Sequence, residues 1–307
     1  VPEVDKMFVY APFRRMYLRW LKKGVDDPMV NATVHTRFQA WNQALTASGM
    51  TDFGNPIGSF ATMENWIETR RMSLVSQIQA ATSVVFQVTT APFSTNGLPG
   101  IIAGKAPVQD SVFCLNGVCW PVSWTSETNW QMRAPLTPGD NQLIIGAAEY
   151  DGGPVQTGAV SVLYTGPAAN PTGRLVISEI MYHAPMSGGD FVEIWNTSTN
   201  TFNISGFRLD GADCTVENGT FIGPTQRLVL AENRTVYTRL YTNVEIVCAD
   251  WSGELDNDRE TLRLLMPDGL GGWITLDEVT YGDAPPWPAE ADGGGASLQL
   301  IDASRDN

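Results

Sequence analysis

Histidine and lysine are almost missing from this sequence of 307 residues. His35 and His183 are the only histidines, and Lys6, Lys22, Lys23 and Lys105 are the only lysines. So few histidines nearly exclude His-rich metal chemistry, and neither stands in the company that a Ser-His-Asp triad requires. No Gly-x-Ser-x-Gly elbow, Cys–His arrangement, Gly-rich phosphate loop or Walker sequence occurs. No apolar run approaches the roughly 18 residues needed to span a bilayer, so no membrane span is expected. Cations are scarce overall: 19 Lys and Arg face 33 Asp and Glu, a formal charge of −14. That balance argues against nucleic acid or anionic lipid as a partner. Val1 opens the chain without a basic-then-apolar leader, so any secretory signal is expected to have been removed.

What is present suits a multi-domain protein with real cores, since 43% of residues are hydrophobic and only 17% charged. The charge divides unevenly. Residues 1–80 carry 9 basic and 7 acidic side chains, residues 81–172 carry 2 and 5, and residues 173–307 carry 8 and 21. The last segment therefore holds a net −13, against +2 for the first. The run Gly166-Pro167-Ala168-Ala169-Asn170-Pro171-Thr172-Gly173 reads as a linker. The expected domains are 1–80, 81–166 and 174–307, with 167–173 between the last two.

The first segment reads as helical. Phe13, Met16, Tyr17, Trp20 and Leu21 recur at spacings of three and four after Pro12, which predicts one helix face packed into a core. Lys22-Lys23 and Gly24 predict its end. Further helices are expected over Val30–Ser48 and after Ser59, the last carrying Met63, Trp66, Ile67 and Leu74.

The period then changes. Residues 83–90 are β-branched and aromatic, and Asn116-Gly117 between apolar runs predicts a type I′ hairpin. That turn pairs Leu115 with Val118 and Cys114 with Cys119 across neighbouring strands. Strands follow at 130–133, 141–149 and 159–164, suggesting an immunoglobulin-like sandwich. Past the linker, strands are expected at 175–181, 191–195, 207–209, 227–230, 244–248, 261–265, 274–279 and 297–301, separated by turns such as Pro267-Asp268-Gly269. The fold class is mainly β: two Ig-like antiparallel β-sandwiches preceded by a small helical segment.

The last segment resembles the lamin-tail domain of bacterial secreted multi-domain proteins. The matching residues include Ile177-Ser178-Glu179-Ile180-Met181-Tyr182, Phe191-Val192-Glu193-Ile194-Trp195-Asn196, Asn203-Ile204-Ser205-Gly206-Phe207 and Tyr281-Gly282-Asp283-Ala284-Pro285-Pro286-Trp287-Pro288. The first segment is similar to the C-terminal helical end of the spore-coat kinase-like CotH family, through Phe13-Arg14-Arg15-Met16-Tyr17-Leu18-Arg19 and Trp66-Ile67-Glu68-Thr69-Arg70-Arg71-Met72-Ser73-Leu74. That family's nucleotide and metal motifs lie upstream of this piece, so none carries over. The resemblances imply the C-terminal part of a longer secreted protein.

Four cysteines permit three pairings, and the hairpin selects Cys114–Cys119 with Cys214–Cys248, which implies an oxidising compartment. Sequons at Asn31, Asn196, Asn203, Asn218 and Asn233 are candidate glycan sites on an extracellular surface. Asp256-Asn257-Asp258-Arg259-Glu260 gathers oxygen ligands but lacks the EF-hand spacing, so it reads as a solvated turn. Glu179 and Glu193 are candidates for a glycosidase-like pair, yet alternation places them toward solvent. Trp120, Trp124, Trp130, Trp195, Trp251, Trp273 and Trp287 offer either packing or a carbohydrate-stacking surface.

These features point to a secreted or cell-surface protein without catalytic activity or cofactor. It would contact other proteins, identical copies included, and surface glycans. The competing readings are a carbohydrate-binding or targeting appendage of a secreted enzyme and the tail of a CotH-like kinase.

Overall fold

The computed structural model describes residues 2–49, 60–241 and 247–303. Four helices come first: α1 (Pro2–Val9), α2 (Ala11–Asp26), α3 (Asn31–Ala47) and α4 (Phe60–Thr82). Nine strands follow: β1 (Gln87–Val88), β2 (Phe93–Thr95), β3 (Gly100–Lys105), β4 (Asp110–Leu115), β5 (Val118–Cys119), β6 (Ser123–Trp124), β7 (Asn129–Ala134), β8 (Gly139–Glu149) and β9 (Gln156–Tyr164). After the linker come β10 (Leu175–Met181), β11 (Phe191–Asn196), β12 (Phe202–Asn203), β13 (Arg208–Asp210), β14 (Cys214–Thr215), β15 (Phe221–Ile222) and β16 (Arg227–Ala231). Helix α5 (Arg234–Leu240) precedes β17 (Val247–Asp250), β18 (Arg259–Pro267), β19 (Trp273–Gly282) and β20 (Leu298–Gln299). Strand, at 34%, outweighs helix, at 25%, as the sequence predicts.

The first β module has sheets of order β1-β3-β7-β6 and β2-β9-β8-β4-β5. The second has β17-β16-β11-β10-β20, β14-β13-β18-β19 and the small pair β12-β15. Pairing is mostly antiparallel, but β2–β9 and β16–β17 run parallel at sheet edges, a departure from the all-antiparallel expectation. Asn116 and Gly117 both have positive φ, and the register is Leu115↔Val118 and Cys114↔Cys119, as the type I′ turn requires. Residues 244–246 of the strand expected at 244–248 lie outside the described residues.

By internal contacts the chain divides into two compact units. One comprises Val1–Pro92, Ile102–Met132 and Gln142–Val160, and the other Phe93–Ile101, Arg133–Asn141 and Ser161–Asn307.

The core of the first unit is aromatic. Phe86 stacks on Trp130 at 6.0 Å, while Phe113 meets Trp130 at 5.6 Å and Trp124 at 5.5 Å. Trp130 is fully buried, and its ring lies where a Cβ on Gly104 would stand, 2.2 Å away, so that strand position admits only glycine. Helix α2 docks on this module through arginine. Arg15, 2% exposed, gives Nη1 to Glu127 O at 2.6 Å and Ala106 O at 3.4 Å, and Nη2 to the carbonyls of Pro107 and Asp110. Its guanidinium lies 3.4 Å from the Trp124 ring centroid. Arg19 Nε donates to Val108 O at 2.9 Å, and Arg14 pairs with Glu127 at 2.6 Å. The C-terminal end of α4 meets the same loop, with Val108 N to Ala81 O and Gln109 Nε2 to Thr82 O at 3.1 and 3.2 Å.

This docking reverses the expected orientation of α2. The residues facing inward are Arg15 and Val25, whereas Met16, Tyr17 and Trp20 are 46%, 42% and 63% exposed. The helix also continues through Gly24 to Asp26. The physical reason is the segment at 106–110, whose carbonyls converge on one point and are met there by the fork of a guanidinium.

The second unit packs the facing sheets of its sandwich around a cluster including Ile177, Val192, Ile194, Leu209, Leu228, Leu262 and Leu264. Tyr182 stacks on Tyr281 at 4.7 Å within it. Where β10 bulges between Ile177 and Glu179, the Asp277 carboxylate on β19 accepts from Ile177 N at 2.6 Å, tying the two sheets together.

Replacing Arg15 by Leu is expected to cost about 3 kcal/mol, because it removes charge-assisted bonds and leaves buried carbonyls without donors. Urea unfolding checks this, and a red shift of tryptophan emission should report loss of the cover over Trp124. An unchanged midpoint would contradict the anchoring role.

A second expectation concerns Asp110. Burial pushes its carboxyl up to about 6, against the pull of Arg15 and Arg19 and with Glu149 adding to the rise. Its contribution to stability is therefore present below its ordinary value of 3.8 and is lost as pH rises through about 6. Asp110→Asn should gain on the parent chain by about 2 kcal/mol between pH 4 and pH 7. Paired urea titrations across that range measure it, and a flat difference would refute it.

Candidate functional site

Helices α3 and α4 build an apolar groove. Val34 and Phe38 lie four apart on α3 and are buried, with Trp41 one further turn along the same stripe. On α4 the matching stripe is Phe60, Met63 and Ile67, with Trp66 beside it. Phe38 joins the two helices, its ring 5.5 Å from both Phe60 and Trp41. Phe38, Thr62, Met63, Trp66 and Ile67 line a groove of about 440 Å³. Trp41 and Trp66 are 57% and 68% exposed, so a contiguous aromatic surface faces water. A polar contact bridges the same two helices: His35 Nδ1 meets Glu64 Oε1 at 2.9 Å, and His35 Nε2 meets Gln39 Nε2 at 2.6 Å.

Of the two readings of the seven β-segment tryptophans, packing is the one that most of them follow. Trp130 and Trp251 are buried, Trp124 lies under Arg15, and Trp287 packs against the core of the second unit. Trp195 is covered by Arg227 at 4.5 Å, and Trp120 is half-buried, leaving Trp273 the exposed member of the proposed stacking set, at 46%. The widely exposed rings are helical, at Trp20, Trp41 and Trp66. Period alone gives a helix an apolar face without saying whether anything covers it.

Cys114 and Cys119 stand opposite each other with their sulfurs 3.9 Å apart, longer than a disulfide bond. Burial, with the neighbouring Cys119, holds the Cys114 thiol above its ordinary pKa. Cys214 is buried on β14, and the side chain of Cys248 lies outside the described residues.

The five sequons differ sharply. Asn196 is fully buried: Nδ2 donates to Asn200 O and Gly223 O at 2.7 Å each, and Oδ1 accepts from Ser198 N at 3.0 Å. The nitrogen that would carry a glycan is committed, so Asn196 is excluded as a glycan site in the folded chain. Asn203 is half-buried and accepts from Ser205 N at 3.2 Å in the same kind of turn. Asn233 is exposed and caps α5 by accepting from Val236 N. Asn31 is exposed at the start of α3, and Asn218 is half-buried in a turn.

The acidic loop serves itself. Asp256 Oδ1 accepts from Asp258 N at 2.8 Å, Glu260 Oε2 from Asp256 N at 3.2 Å, and Tyr281 OH donates to Asp256 O at 2.7 Å. Burial and Glu260 hold the Tyr281 hydroxyl far above its ordinary pKa. Among the described residues no group of three or more His, Cys, Asp or Glu is placed to hold a metal ion. Glu179 and Glu193 are directly paired across β10 and β11, but Glu193 is engaged by Arg227 and Ser178 and Glu179 by Ser297. Both are half-buried rather than solvent-facing, and both are tied to structural partners. Among the described residues no helix is long and apolar enough to cross a membrane.

No curated protein matches the chain. Solved structures resemble it loosely. One is Bacteroides ovatus SGBP-B of a mixed-linkage glucan utilization locus, in complex with a mixed-linkage heptasaccharide. It is 14% identical over 63% of this chain and 43% of its own, with a TM-score of 0.20. The YadV chaperone is 11% identical over 64% of this chain and 98% of its own, with a TM-score of 0.25. The BSP domain of a biofilm associated protein is 11% identical over 69% and 32%, with a TM-score of 0.21. Superpositions this weak carry no argument about this chain, which spans less than half the length of the first. In the second unit, residues 168–283 match the family model described as Lamin Tail Domain.

Proposed function

We propose that this chain is an extracellular, non-enzymatic structural or adhesion protein that acts through protein–protein contacts, including contacts between identical copies. The observation that carries the reading is the aromatic groove of α3 and α4. A contiguous exposed apolar surface is costly in water and marks an interaction site when rimmed by polar groups. Here Trp41 and Trp66 flank the groove, and His35, Gln39 and Glu64 supply polar groups on the same two helices. Tryptophan is the residue type that most often dominates binding energy. The Lamin Tail Domain match adds a non-catalytic module to the same chain. The net +2 of residues 1–80 and −13 of residues 173–307 allow head-to-tail attraction between copies.

An extracellular location goes with two disulfides, Cys114–Cys119 and Cys214–Cys248. The hairpin register brings the first pair together. Protein isolated without reductant should have an intact mass about 4 Da below its reduced form, because two bridges remove four hydrogens. Alkylation of all four thiols without reductant would contradict both bridges.

Light scattering over a wide concentration range tests the function itself. The expected result is an apparent mass that rises above the 33.5 kDa monomer. Trp41→Ala and Trp66→Ala should each weaken association by about 2 kcal/mol, roughly a 30-fold rise in Kd. A chain that stays monomeric throughout would remove self-association.

A further inference from the structure

A second surface of the first unit, outside the α3–α4 groove, has different chemistry. Helix α2 and the turn joining β8 to β9 enclose a cleft of about 510 Å³. Two aromatic rings border it, Trp20 at 63% and Tyr150 at 85% exposure. Between them lie groups of both signs: Lys23 faces Asp151 at 3.7 Å, Lys22 pairs with Asp26 along the helix, and Glu149 adds a further carboxylate. Gln109 also lines the cleft. Its Nε2 is held by Thr82 O, while its Oε1 is buried and has no protein donor.

Each observation narrows the ligand. The near balance of cationic and anionic side chains disfavours a phosphate, a sulfated polymer or a basic peptide, all of which need one dominant sign. Charged walls disfavour a purely apolar ligand, whose binding would desolvate them without compensation. Carboxylates accept hydrogen bonds and ammonium groups donate them, so a ligand rich in hydroxyls satisfies both. Exposed aromatic rings supply flat apolar faces for the C–H surface of a pyranose. Lys23 Nζ, 5.7 Å from the Trp20 ring centroid, makes only a loose contact there that a ligand can displace. The walls are also held in place, since Arg15 and Arg19 fix α2 to the 106–110 loop that carries Gln109. We propose that this cleft binds a neutral oligosaccharide, stacked between Trp20 and Tyr150 and hydrogen-bonded to the lysine and carboxylate side chains between them.

The test uses the full chain on an array of neutral β-glucans, mannans, xylans and chito-oligosaccharides beside sialylated and sulfated glycans. The strongest neutral binder is then titrated while tryptophan fluorescence is followed. Saturable binding to a neutral glycan is expected, weakened about tenfold by Tyr150→Ala and again by Trp20→Ala. Trp66→Ala, in the separate groove, should leave it unchanged. Tyr150 is almost fully exposed, so its replacement keeps the test valid even if a variant at Trp20 folds poorly. Binding confined to anionic glycans, no binding to any neutral one, or neutral binding that survives Tyr150→Ala would overturn the proposal. Because Trp66 reports the groove and Tyr150 the cleft, failure here leaves the self-association result distinguishable.

Discussion

A single buried cation organises the first unit. Arg15 enters from α2 into a ring of carbonyls at Ala106, Pro107, Asp110 and Glu127, with Trp124 beneath its plane. Burial lowers its pKa to about 9, so it remains charged at neutral pH and the ring must stay closed around it. Taking a charge out of water is expensive, and carbonyl dipoles repay that cost only where the geometry holds. The consequence is specificity of placement: α2 can sit in one orientation on the β module. Trp20 is then turned outward, where it borders the α2 cleft. The surfaces assigned to binding follow from an electrostatic constraint in the core.

The second unit solves its packing differently. Its cluster is aliphatic and tyrosine-rich, and its polar connections are carboxylates that serve local backbone, as at Asp277, Asp256 and Glu260. Much of the acidic excess is spent on such internal contacts or on cross-strand pairs such as Arg263–Glu278. What the sequence presents as a cluster of potential ligands is therefore a set of turn caps. The same holds for the paired Glu179 and Glu193, which are hydrogen-bonded to Ser297 and to Ser178 and Arg227 respectively.

Local signals were legible wherever backbone chemistry is decided by neighbours. Asn116-Gly117 specifies its turn and hence the Cys114–Cys119 register, and the β-branched runs mark β10 and β11 with their bounds nearly intact. Tertiary choices were not legible. The period of Phe13, Met16, Tyr17 and Trp20 gives a face, but the loop at 106–110 selects the arginine face of α2 instead. Gly24 reads as a stop, yet contacts with α4, such as Arg71 to Val25 O, carry the helix past it. Helix α5 was missed because Thr235, Val236 and Thr238 favour strands, although Asn233 supplies its cap. Asn196 matches a glycan acceptor by pattern, but Asn-Thr-Ser is equally the pattern of a buried turn. Only burial separates the two. The spacing of Arg15 and Arg19, four apart on one helix, was the available clue to the docking face.

The central claim is that Arg15 makes the helices and the first β module one cooperative structure. Hydrogen exchange with increasing urea tests it most directly. Amides of α2 and of β7 should exchange through openings of equal free energy and equal urea dependence, and both should fall together when Arg15 is replaced by Leu. If α2 instead exchanges through a separate opening of lower energy and small urea dependence, with β7 unaffected by the substitution, the account is contradicted.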